Sequence, residues 1–116
     1  MSNALDPEVL RGFLEEARSY LPGMDRCLTG LRSRPDDRAS AEELHRLAHC
    51  VSGASRVIGM GELGEAARAV ETLLDPVVLE EQPLEPRLIE PLAMGVRQMA
   101  ELLAAIPEPE AEPELT

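Results

Sequence analysis

The amino-acid sequence predicts an all-α domain: an antiparallel four-helix bundle, with room for one short extra helix. Three observations predict it. Apolar residues recur at alternating three- and four-residue spacing in four separate segments. Clusters of Pro, Gly, Asp and Ser divide those segments. No stretch shows the period-two alternation of a half-buried strand, and there is no internal repeat.

The first segment places Leu10, Leu14, Ala17, Leu21, Met24, Leu28 and Leu31 along one seam. Asp6 is its expected N-cap and Pro7 its first-turn residue. Pro22 falls inside, but the apolar phase survives across it, which predicts one kinked helix ending near Arg32 to Pro35. After the polar turn RPDDRAS, Ser40 is expected to cap a second helix, with Glu43 completing a capping box and Gly59 stopping it after Ile58. Leu63, Ala66, Ala67, Val70, Leu73 and Leu74 mark a third helix. DPVVLEEQPLEP, with Pro76, Pro83 and Pro86, is expected to be a loop. Leu88, Leu92, Val96, Met99, Leu103 and Ile106 mark the last helix, whose start Pro91 blurs. The bundle therefore spans residues 6–106. Residues 1–5 are expected to be a disordered N-terminus or tag remnant, and residues 107–116 an acidic, proline-rich linker with little to bury.

A chain of 116 residues makes one domain with a modest core, and one Phe, one Tyr and no Trp make that core aliphatic. Twenty-two acidic residues against 11 basic ones give a formal charge of −11, which opposes nucleic acid and anionic membranes. Every basic residue is an arginine. The absence of lysine excludes a phosphate-binding Walker lysine, a Schiff base and a Ser–Lys dyad. Cys27 and Cys50 form no CxxC pair. With no apolar run long enough for a membrane span and no targeting segment, they read as reduced thiols of a cytoplasmic protein, a single disulfide being the alternative.

Both histidines lie in LHRLAHCVSGASRVIG, residues 44–59. At about 100° per residue, Leu44, Leu47, Val51, Ala54 and Ile58 gather on one side of this helix and His49 stands nearly opposite. Within about 60° of it fall His45, Arg46, Ser52, Gly53 and Arg56. Such a face is ordinarily solvated surface. Gly53, however, costs about 1 kcal/mol against Ala in mid-helix, and room for a partner beside His49 is a reason to bear that cost. The arginines suit a negative group on the imidazole. A metal shared by His45 and His49 needs a third ligand from elsewhere, and no HExxH pattern is present. Cys50 points about 100° away from His49, which argues against a nucleophile pair.

LHRLAHCVSGASRVIGMGELGEAARAVE, Leu44 to Glu71, resembles the signature of histidine phosphotransfer (HPt) domains, in particular those at the front of chemotaxis-type histidine kinases. Arg46, His49, Gly53, Gly59, Leu63 and Glu71 fall at matching places, and FLEEARSYLPGMDRCLTGL resembles the family's first helix. The resemblance covers about residues 7 to 105. It implies that His49 is the phosphoacceptor and that Glu71 accepts a hydrogen bond from its Nδ1–H. It also implies two partners, a histidine kinase catalytic domain and a receiver domain whose Asp takes the group on. ATP and Mg belong to that separate kinase domain, and this domain needs no cofactor or metal and is no enzyme by itself. Ser52, Arg56 and Arg46 would neighbour the phosphoryl group, and Gly53 and His45 would lie at the docking surface.

The pattern departs from the family in places. Ser52 replaces the usual lysine three residues after the histidine, Cys50 replaces a threonine, and Arg68 stands where a second histidine is common. Two other readings follow from the same residues: a degenerate domain that docks a receiver without phosphorylation, and a generic helical interaction domain.

Overall fold

A computed structural model of the chain describes residues 6–109. The expected N-terminal remnant, 1–5, and the greater part of the expected linker, 110–116, lie outside the described residues. Four α-helices follow in order: α1 (Pro7–Ser33), α2 (Arg38–Ile58), α3 (Gly61–Leu79) and α4 (Ile89–Ala105), with a single 3₁₀ turn, Pro86–Leu88, before the last. Each helix packs on its neighbour in sequence, and α4 closes the ring against α1. Among the described residues there is no strand, and no helix is long and apolar enough to cross a membrane.

The core follows the apolar seams. Leu14, Met24, Leu31, Leu44, Leu74, Leu92, Met99 and Leu103 are fully buried, with Val51 and Val70 between them. At α3–α4 the backbones approach closely at Gly95, where a β-carbon would lie 2.6 Å from Val70 Cγ2. Ser55 is fully buried on the α3 side of α2, and its hydroxyl has no hydrogen-bond partner.

The helix ends hold most of the differences from expectation. At α1, Asp6 Oδ1 accepts the Glu8 N–H at 2.8 Å, and the helix runs unbroken through Pro22. Helix α2 starts earlier than expected, because its cap is Asp37 rather than Ser40. Asp37 accepts both the Ser40 N–H (3.2 Å) and the Ser40 hydroxyl (2.7 Å). A carboxylate suits the free N–H groups and positive dipole end of a first turn better than a hydroxyl does. The hydrogen bonds from Ser40 in turn hold the Asp37 carboxyl below its ordinary pKa. Glu43 closes no capping box and instead pairs with Arg46.

Helix α3 does not stop at Asp75 but continues through Pro76 to Leu79. Burial of Val77 favours the extra turn. Arg38 closes it, donating from Nη1 to the Val77 carbonyl (2.8 Å) and from Nη2 to the Val78 carbonyl (3.1 Å). The loop proper is thus short, and it returns Leu84 to the core. Pro91 sits in the first turn of α4, where a missing N–H costs no hydrogen bond. Arg18 treats the end of α4 as Arg38 treats that of α3. It donates to the Leu103 carbonyl (2.7 Å) and the Ile106 carbonyl (3.0 Å), and pairs with Glu108. Arg11 donates to the Pro109 carbonyl at 3.2 Å, so the chain leaving α4 is held along α1.

Candidate functional site

His49 lies in the middle of α2 with its side chain 73% exposed. Its Nδ1 is 2.7 Å from Glu71 Oε2 on α3, and the Glu71 side chain is only 14% exposed. An ionised carboxylate can only accept, so the shared proton belongs to Nδ1, and Nε2 keeps its lone pair on the solvent side. The arrangement fixes the ring's orientation and the Nδ1–H tautomer, so that Nε2 faces solvent, with a carboxylate placed to stabilise positive charge on the ring.

One turn along the same groove the pairing repeats. His45 Nε2 lies 2.8 Å from Asp75 Oδ1, with the His45 side chain 18% exposed. His45 and His49 are four residues apart on α2, as are Glu71 and Asp75 on α3. Antiparallel packing brings the two pairs together as successive rungs. His45 is thus turned into the α2–α3 groove, not outward to a docking surface. Asp75 falls in the segment DPVVLEEQPLEP that the sequence predicts as a loop, although its four-residue spacing from Glu71 matches that of His45 and His49.

The rest of the expected cluster divides between the two flanks of α2. Ser52 and His45 lie on the flank that α3 covers, and Ser52 is only 6% exposed. A helical wheel shows only the turn about one axis, so it could not show that α3 leans over this side. Here Gly64 brings α3 close, its β-position 3.3 Å from Ser55 Cβ and 3.8 Å from the Ser52 carbonyl oxygen. Gly53 and Arg46 lie on the other flank. Gly53 is exposed, and a β-carbon there would meet nothing within 4 Å. Arg46 grips Glu43 with two hydrogen bonds, Nε to Oε1 at 2.9 Å and Nη2 to Oε2 at 2.8 Å, which raises the guanidinium pKa and lowers the carboxyl's. Its charge is already engaged. Arg56 is exposed, and no described carboxylate pairs with it.

Cys27 is buried, with its thiol pKa raised by burial, and Cys50 is half-buried; both are free thiols. Among the described residues no three His, Cys, Asp or Glu side chains gather as a metal-ligand set.

The chain is similar to three chemotaxis proteins CheA. It is 28% identical to that of Treponema pallidum (strain Nichols) over 93 residues, 78% of this chain and 12% of the relative. It is 26% identical to that of Borreliella burgdorferi over 97 residues, 84% of this chain and 11% of the relative. Against that of Halobacterium salinarum the identity is 29% over 68 residues, 59% of this chain and 10% of the relative. The chain therefore spans about a tenth of the length of these curated relatives. No solved structure matches it significantly. The Hpt domain family matches residues 8–108, nearly the whole chain and all of the bundle. A module of that family carries phosphoryl groups and is not itself a catalyst. By this match, the chain belongs to the Hpt domain family.

Proposed function

We propose that this domain is a phosphorelay carrier in which His49 Nε2 accepts a phosphoryl group and passes it to a receiver-domain aspartate. The exposed His49 ring, with Nδ1 held 2.7 Å from the sheltered Glu71 carboxylate, carries the proposal. The neutral Nε2 attacks phosphorus, the bond from phosphorus to the donor oxygen breaks, and the imidazolium so formed keeps its proton on Nδ1, donated to Glu71. Attack by a receiver carboxylate then breaks the N–P bond and returns the neutral ring. The donor is ATP with Mg, bound by a separate histidine kinase domain, or a phosphoaspartate. Arg56 and Ser52 neighbour the group, while Arg46 contributes less because Glu43 already holds it. Gly53 leaves the opposite flank bare for the receiver. The setting is cytoplasmic, and the protein to which the domain belongs is a chemotaxis-type kinase.

Incubation with such a kinase domain and ATP tests this. The domain is expected to gain one acid-labile, alkali-stable phosphate, which His49→Gln abolishes and His45→Gln does not. A label that survives His49→Gln moves the site elsewhere. A wild-type domain that takes no label from any kinase or phosphorylated receiver, yet still binds a receiver, leaves a docking module. Ser52, standing at the family's lysine position, is the observation that favours that second reading.

A further inference from the structure

The α2–α3 groove continues past His49 and Glu71. Going from His49 to Ser52 on α2, and back from Glu71 to Arg68 on α3, moves the same way along antiparallel helices, about 4.5 Å at 1.5 Å per residue. There the groove opens into a cavity of about 220 Å³ lined in part by Ser52, Arg56, Gly64, Glu65 and Arg68. Three features of it point to an anion. Arg56 and Arg68 are both exposed and, among the described residues, neither has a carboxylate within ion-pair distance, in a chain with 22 acidic residues. Arg32, Arg38 and Arg46 each hold a glutamate, and although Arg26 and Arg97 are also without an ion pair among the described residues, only Arg56 and Arg68 share this cavity. Ser52 is more than nine-tenths buried, yet it lines the cavity and no other described side chain takes up its hydroxyl. Two unpaired guanidinium groups and a sheltered hydroxyl thus line one cavity, about one helical turn along the groove from the one exposed imidazole.

We propose that Arg68, together with Arg56 and Ser52, seats the phosphoryl group carried on His49, with Arg68 delivering positive charge across the groove from α3. The inference rests on His49 being the phosphoacceptor. A guanidinium fork matches phosphoryl oxygens and stabilises their dianionic form. Glu65 lines the same cavity and works against that charge.

The test uses two probes on the whole chain. Inorganic phosphate is titrated into ¹⁵N-labelled protein, and amide shifts at Ser52, Arg56, Gly64 and Arg68 are followed. They are expected to saturate in the wild type, vanish in Arg68→Ala and saturate earlier in Glu65→Gln. The second probe is phosphoramidate. His49 Nε2 attacks its phosphorus, the P–N bond breaks, and the amino group leaves as ammonia with the proton it carries. Arg68→Ala is expected to slow this uptake about tenfold and to raise the pH midpoint of the ³¹P resonance of the phosphohistidine, with Arg68→Lys recovering most of both. A merely structural role would not move the phosphate's own titration.

If the wild type is labelled and Arg68→Ala, still helical, matches it in rate and midpoint, the seat is overturned while the phosphoacceptor reading stands. If the wild type takes no label from phosphoramidate, nor from a kinase domain with ATP or a phosphorylated receiver, that reading fails and the phosphate titration decides the seat. Shifts lost in Arg68→Ala support an anion site, and their absence in the wild type overturns it.

Discussion

Glu71 and His49 are unequal partners. The carboxylate is 14% exposed, the ring 73% exposed, and 2.7 Å separates Oε2 from Nδ1. The acid is therefore held in place by its surroundings, while the base is free to meet another protein. Glu71→Ala is expected to release the ring to rotate and to change tautomer, lowering phosphoryl uptake at least tenfold with helicity unchanged. Glu71→Gln keeps an acceptor oxygen but loses the charge facing the imidazolium, and should fall between. Single-turnover labelling with a kinase domain and ATP measures both, and equal rates in all three proteins would remove Glu71 from the reaction.

Two mid-helix glycines should respond to the same substitution with opposite signs. Gly53→Ala fills open space and recovers helix propensity, so it should stabilise the bundle by about 1 kcal/mol. Gly95→Ala pushes a methyl group to within 2.6 Å of a stiff valine and should destabilise it by about 1–3 kcal/mol. Urea denaturation followed by circular dichroism separates them. Gly53→Leu should leave the fold intact and weaken receiver binding, measured by titration.

Ser55 carries a fully buried hydroxyl without a partner. Ser55→Ala removes the unmet polar group and should raise stability by about 1 kcal/mol in the same assay. A loss of stability there would mean that the hydroxyl is satisfied in solution.

Tyr20 is the only tyrosine in a chain without tryptophan, so its absorbance reports one group. Its hydroxyl donates to Glu16 Oε2 at 2.9 Å, and this hydrogen bond, with burial and the carboxylate's charge, pushes its pKa up to about 12. A pKa raised in the folded state gives stability that is present below the ordinary phenol value, about 10. That stability is lost as pH rises toward 12. The phenolate absorbance should therefore appear late in an alkaline titration, and Glu16→Gln should bring it back toward the free-phenol midpoint.

The four helices were legible in the sequence because their apolar seams follow one period and the aliphatic core has no aromatic anchor to disturb it. The ends were harder to read. Asp37 and Ser40 both offer a cap for α2, and the Asp37–Ser40 contact is accommodated by Gly30 of α1, where a β-carbon would lie 2.8 Å from Ser40 Oγ, a tertiary fact. Asp75–Pro76 reads as a helix stop until Arg38, from another helix, is seen holding the carbonyls beyond it. That one misplaced boundary also concealed the His45–Asp75 rung. His49, Gly53 and Arg56 were legible on the wheel because no neighbouring helix covers them. The burial of Ser52 and His45 was not legible there, because α3 covers their flank.

The two histidine rungs also act as a check on assembly. If α3 slipped one turn along α2 in one direction, His49 would meet Asp75 but His45 would face Leu79. In the other direction His45 would meet Glu71 and His49 would face Ala67, with no acceptor for its Nδ1 proton. Either error forfeits one rung, so only the native register satisfies both rings at once. A half-formed bundle, or one slipped so that His49 faces Ala67, lacks a carboxylate partner at His49. On the proposed reading, acceptance of a phosphoryl group is thereby tied to the native pairing of α2 and α3.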